Sequence, residues 1–172
     1  MCFMQPLLGT FWFAVVYPTS GRKERSTQIK VKGKTERGGK KRRDKNNFFT
    51  HLRMFTEHPD TKSYFAHFKG MDSAEEMKQS DQVRGHGKKV FTAINDMVQH
   101  LDNSEAFLGI VNPLGKKHAT QLKIDPKNFR IICDIILQLM EEKFGGDCKA
   151  SFEKVTNEIC THLNNVYKEA GW

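Results

Sequence analysis

Two histidines, His86 and His118, are the residues of this chain most able to do chemistry, and they stand 32 positions apart (118 − 86). In "SDQVRGHGKKVFTAINDMVQHL" (80–101), Val83, Val90, Ile94, Met97, Val98 and Leu101 recur at a spacing of three or four. That spacing predicts one buried stripe of a helix, and His86 falls on it. In "SEAFLGIVNPLGKKHATQL" (104–122), Leu108, Val111 and Leu114 lead at the same spacing to His118. Lys116 and Lys117 lie about 200° and 100° away around that helix, on its wet side. Two facing helices that each offer an inward imidazole can hold a metal between them. Each imidazole can equally be a core residue whose ring nitrogens are satisfied by hydrogen bonds. The pattern alone leaves both readings open.

The surroundings narrow the choice of metal. They are apolar rather than rich in carboxylates, which suits the iron of a haem. There is no Glu-x-x-His pair for a di-metal carboxylate bundle. Nor is there an H-E-x-x-H, a C-x-x-C-H or a C-x-x-C motif, so a zincin, a covalently attached haem and a zinc or thioredoxin site are not indicated. Cys133 and Cys160 sit in apolar helical stretches and are expected to be small core residues.

The elements that must position the histidines are helical throughout, and no alternating strand pattern is visible. Ser80 and Ser104 are the expected N-caps of the two histidine helices. Pro113 lacks an N–H and is expected to break or restart the second. "DPKNFRIICDIILQLMEEKFGG" (125–146) has Asp at N-cap, Pro at N1 and a glycine pair at its end. Its apolar face is Phe129, Ile132, Ile135, Ile136, Leu139 and Met140. A last helix, about 148–170, is expected to bury Phe152, Val155, Ile159, Leu163, Val166, Tyr167 and Ala170.

Residues 1–47 are different. The segment 21–45 holds 12 Lys/Arg against Glu24, Glu36 and Asp44, a net of +9 in a chain of net +8, so the rest carries −1. A stretch so poor in large apolar residues is expected to be disordered. Its "GKT" (33–35) lacks the leading glycine of a phosphate loop, since Gln28 stands there. With no aromatic residue in the basic run and a near-neutral remainder, no specific nucleic-acid partner is expected. "LLGTFWFAVV" (7–16) is too short to span a bilayer and lacks the flanks of a signal peptide, so no membrane partner is expected. No N-x-S/T site occurs, and a cytoplasmic setting is expected.

Residues 48–172 resemble the vertebrate globin family. "FFTHLRMFTEHPDTKSYFAHF" is similar to the end of the family's second helix, its third helix and the corner after them. Pro59 matches the third-helix proline, and Phe65 and Phe68 match the corner phenylalanines. "RGHGKKV" resembles the distal segment, with His86 as the distal histidine and Val90 one turn on. "NPLGKKHATQLKID" resembles the proximal segment, with Leu114 and His118 as its leucine and iron ligand. "YKEAGW" resembles the family's ending, with Tyr167 at its conserved-type tyrosine.

The resemblance implies an all-α globin fold that lacks the usual first helix and most of the second. The domains are then an atypical basic segment, 1–47, and a globin domain, 48–172. It implies haem b as cofactor, with O2, CO and NO as ligands and oxygen binding, transport or storage as the function. His118 would be the proximal iron ligand, its Nδ1–H held by a carbonyl near Leu114. His86 would donate a hydrogen bond to bound O2 or bind the iron itself as a sixth ligand. Phe65, Phe68, Val90, Leu114, Ile124, Phe129 and Ile132 would line the pocket. Nitric oxide dioxygenase or peroxidase chemistry is the alternative, and a reductase and a second copy of the chain are further partners the resemblance allows. Two residues depart from the pattern. Lys117 stands where many members carry a hydroxyl beside the proximal histidine. His51 stands where an apolar distal residue is usual, and reads as a product of the abrupt start of the likeness rather than a third ligand.

Overall fold

In the computed structural model, the described residues are 11–14, 30–33 and 39–172, with side chains described from Phe48 onward. The chain divides into two compact units, Met1–Asn46 and Asn47–Trp172. In the first, strands β1 (Phe11–Ala14) and β2 (Lys30–Gly33) pair antiparallel, with Phe11 opposite Gly33 and Ala14 opposite Lys30. A sequence read as strand-free therefore holds one short ribbon. Each strand has only four residues, too few to show an alternating period. Helix α1 (Gly39–Glu57) also begins inside the stretch expected to be disordered. The remainder of that stretch lies outside the described residues.

The second unit is all helical. After α1 come a 3-10 helix (Pro59–Phe65), α2 (Ala74–Gln79), α3 (Asp81–Gln99) and α4 (Ser104–Lys116). A π-helical turn (Lys117–Gln121), α5 (Lys127–Phe144) and α6 (Gly146–Glu169) complete it. The starts follow capping chemistry, because the first N–H groups of a helix have no partner within it. Ser80 accepts from the Val83 amide at 3.4 Å and opens α3 as expected. Helix α4 is capped one residue earlier than expected. Asn103, not Ser104, accepts from the Ala106 amide at 3.1 Å. Asp125 accepts from the Lys127 amide at 2.9 Å at the start of α5. Gly145, at φ 86°, makes the sharp turn from α5 to α6 that a side chain would strain.

Pro113 does not break α4, which runs through it. The ring is exposed, and so is Gly109, whose carbonyl the missing N–H would have met. That carbonyl therefore lies on the solvated side, where water can satisfy it. The irregularity falls later. The Leu122 amide bonds to the Lys117 carbonyl at 3.1 Å, and the Ile124 amide to the His118 carbonyl at 3.0 Å. The extra residues in these loops widen the helix at His118.

Helix α5 packs on α6, α4 on α6 and α3 on α4. The expected stripes are the ones buried. Val83, Ile94, Met97 and Val98 face inward from α3, and Ile132, Ile135, Ile136 and Met140 from α5. Phe152, Val155, Ile159, Leu163, Val166 and Tyr167 face inward from α6. Each such side chain contributes roughly 1.5–3 kcal/mol on leaving water. Gly115 sets the approach of α4 to α6. A Cβ there would stand 2.9 Å from Val166 Cγ1 and 3.3 Å from Leu163 Cδ2.

Candidate functional site

The proximal candidate is built from the π-helical turn. His118 Nδ1 is 2.8 Å from the Leu114 carbonyl, one turn back. The N–H must be on Nδ1 to make that bond, so the lone pair is on Nε2, free to ligate a metal. An acceptor behind Nδ1–H also makes Nε2 more basic. The ring packs edge-on against Phe129, centroids 5.2 Å apart, and Phe129 continues into Tyr167 at 5.8 Å. Two bonds from the chain's end fix the segment after His118. Tyr167 donates its hydroxyl to the Ile124 carbonyl at 2.8 Å, and the Trp172 indole donates to the Ala119 carbonyl at 3.2 Å. The ending "YKEAGW" thus acts as a clasp on the histidine segment. Lys117 is exposed and faces away.

The distal candidate is His86, on the middle of α3. Its ring lies 4.9 Å from Phe65 and 6.2 Å from Phe68, both edge-on. Phe65 in turn stacks on Phe55 at 5.0 Å. Behind them Phe48, Phe55, Met77 and Val83 form a buried cluster. Burial first, then the charges of His51, His118, Lys89 and His67, pushes the His86 imidazole down to about 3. It is therefore neutral across the physiological range, as a ligand nitrogen must be.

His51 is the residue the sequence reading missed. It is fully buried on α1, and its Nε2 is 2.8 Å from His86 Nδ1. The rings meet at 82° with centroids 4.9 Å apart. Far from being a stray product of the segment's start, it is a partner of the distal histidine. No signal in a single sequence pairs residues 35 positions apart on different helices.

The remaining pocket residues are placed by the same elements. Val90 is one turn beyond His86 on α3, Leu114 is on α4, Ile124 is in the loop, and Phe129 and Ile132 are on α5. Of these and Phe65, Phe68, His86 and His118, only Ile132 is in the core, at 8% exposure; the other eight are half-buried. Imidazoles at His86 and His118 among apolar side chains suit a flat apolar macrocycle carrying iron. Among the described residues no cluster of three or more His, Cys, Asp or Glu could bind a bare metal ion.

Comparison with known proteins shows which class of helical protein this is. A model of the Globin family matches residues 48–163, and the chain belongs to that family of gas-binding haem proteins. Cytoglobin-1 of Oryzias latipes is 34% identical over 125 residues, covering 70% of this chain and 71% of that protein. Cytoglobin-1 of Danio rerio is 34% identical over 126 residues, 70% of this chain and 72% of its own. Globin-3 of Mordacia mordax is 32% identical over 124 residues, 72% and 79%. No helix among the described residues is long and apolar enough to cross a membrane.

Proposed function

We propose that this chain binds haem b and, through it, reversibly binds O2 and other diatomic gases, CO and NO among them. His118 is the proximal ligand through Nε2. His86 is the distal residue, which would either ligate the iron or meet a bound gas. The observation that carries this reading is the bond from His118 Nδ1–H to the Leu114 carbonyl, which fixes the tautomer a ligand needs.

The haem iron, when bound, supplies the position that the gas takes. The protein's own residues supply the rest. Phe65 and Phe68 hold the His86 ring edge-on and restrict its swing. His51 accepts the Nδ1–H of His86, which leaves the Nε2 lone pair pointing into the cleft. Val90, Leu114, Phe129 and Ile132 keep water out, which protects the reduced metal from proton-assisted oxidation. The contact with His51 would hold the His86 ring at Nδ1 whether or not its Nε2 were engaged.

Haem titration of the purified apoprotein tests this. The expected result is a Soret band that saturates at one haem per chain and shifts when CO is added to the reduced protein. A protein that takes up no haem under reconstitution would refute it.

A further inference from the structure

Cys133 on α5 and Cys160 on α6 face each other with sulfurs 3.9 Å apart. Both are free thiols and both are buried. Their surroundings differ. Cys160 lines a cavity of about 320 Å³ together with Lys127, Arg130, Asn157, Thr161 and Asn164. Cys133 is not part of that wall. Arg130 is held there by an ion pair to Asp134 at 2.9 Å and by donating a hydrogen bond to the Asn157 side-chain Oδ1. Hydrogen bonding to Cys133 lowers the pKa of Cys160, burial opposes that, and the Arg130 charge adds to the lowering. The same hydrogen bond, and then burial, raise that of Cys133. Cys160 is therefore the sulfur that a molecule in the cavity meets, with Cys133 directly behind it.

We propose that Cys160 and Cys133 form a thiol–disulfide exchange site, with Cys160 attacking and Cys133 resolving, whose substrate is a small anionic disulfide admitted by the cavity. The cations Lys127 and Arg130 recognise the carboxylates, and the Asn and Thr side chains offer hydrogen bonds to a peptide-like body. In the first step the Cys160 thiolate attacks one sulfur of the small disulfide. A bond forms between them, the original S–S bond breaks, and the departing thiolate takes a proton from water. In the second step Cys133 loses its proton and attacks the Cys160 sulfur. The mixed disulfide breaks, and the second small thiol leaves. One external disulfide is reduced to two thiols, and the protein dithiol is oxidised to one disulfide. For the second step the sulfurs must close from 3.9 Å to about 2 Å.

The test is to incubate the reduced, full-length protein with glutathione disulfide, alkylate the remaining thiols and map the peptides by mass spectrometry. The expected product is a cross-link between Cys133 and Cys160. Cys133→Ser should trap a glutathione adduct on Cys160, because nothing resolves it. Cys148, buried in the same helix α6 but outside the cavity wall, is the internal reference and should remain alkylatable. If Cys148 reacts as fast as Cys160, unfolding delivers the reagent and the proposal fails. It fails also if native protein, with its helical circular dichroism intact, yields neither cross-link nor adduct. Arg130→Gln should slow exchange with glutathione disulfide more than with the neutral 2-hydroxyethyl disulfide. Equal slowing would remove the anionic substrate from the account.

Discussion

His51 Nε2 lies 2.8 Å from His86 Nδ1, so the distal histidine has a histidine of its own behind it. One of the two nitrogens must carry the proton. If His86 donates, its Nε2 has a lone pair and can bind iron. If His51 donates, His86 Nε2 carries a proton and can only donate to a ligand. The proposed function takes the first arrangement. His51→Phe removes the acceptor and keeps the volume of an aromatic ring. The expected outcome is a weaker sixth bond and CO association about ten-fold faster or more, the lower end of what losing such a partner costs. Flash photolysis measures it. An unchanged rate would show that the histidine pair does not act on the iron.

His118→Gly should abolish retention of haem, since the remaining contacts are apolar and His86 alone holds the other face. Added imidazole should restore a Soret band by occupying the space of the lost ring. If His118→Gly keeps haem as tightly as the native chain, the proximal assignment is wrong.

Gly115→Ala tests the packing that sets the histidine helix. Its Cβ would meet Val166 Cγ1 at 2.9 Å, and a β-branched neighbour cannot swing clear. The expected cost is about 1–3 kcal/mol of stability, read as a lower urea midpoint. Gly109→Ala on the same helix is the control. Its Cβ would meet nothing, and it should be neutral or slightly stabilising.

The clasp by Tyr167 predicts a response to alkali. Burial first, then the charges of Asp125 and Tyr64, pushes its phenol up to about 12. In the unfolded chain the phenol ionises near pH 10. The group is neutral in both states below about pH 10, so its effect on stability is constant there. Between about pH 10 and 12 only the unfolded chain gains from ionising, and stability falls as pH rises. Tyr167→Phe should lose the hydrogen bond to Ile124 at all pH values and flatten the decline above pH 10. Urea midpoints from pH 8 to 11.5 for both proteins measure it. A decline equally steep in Tyr167→Phe would assign it to other groups.

Much of the site was legible in the sequence because it is local. The stripes of α3, α5 and α6, the Ser80 cap and the inward phase of His118 each depend on residues within a few turns. The carbonyl at Leu114 was legible for the same reason. Three features were not. Asn103 and Ser104 are both good caps, and their order in the chain does not say which one turns inward. Pro113 has a breaking propensity that its exposed position overrides. The His51–His86 bond depends on how α1 crosses α3, a tertiary relationship that periodicity does not contain. The widening of the helix at His118 is also invisible to a period of 3.6.

The most direct test of the central claim is the optical spectrum of the ferrous, ligand-free protein beside that of His86→Ala. A native spectrum with the sharp split visible bands of low-spin, six-coordinate haem is predicted, with His86→Ala giving the broad band of the five-coordinate state and both binding CO. A native protein already five-coordinate, or one whose spectrum His86→Ala leaves unchanged, would contradict the claim that His86 and His118 hold the iron between them.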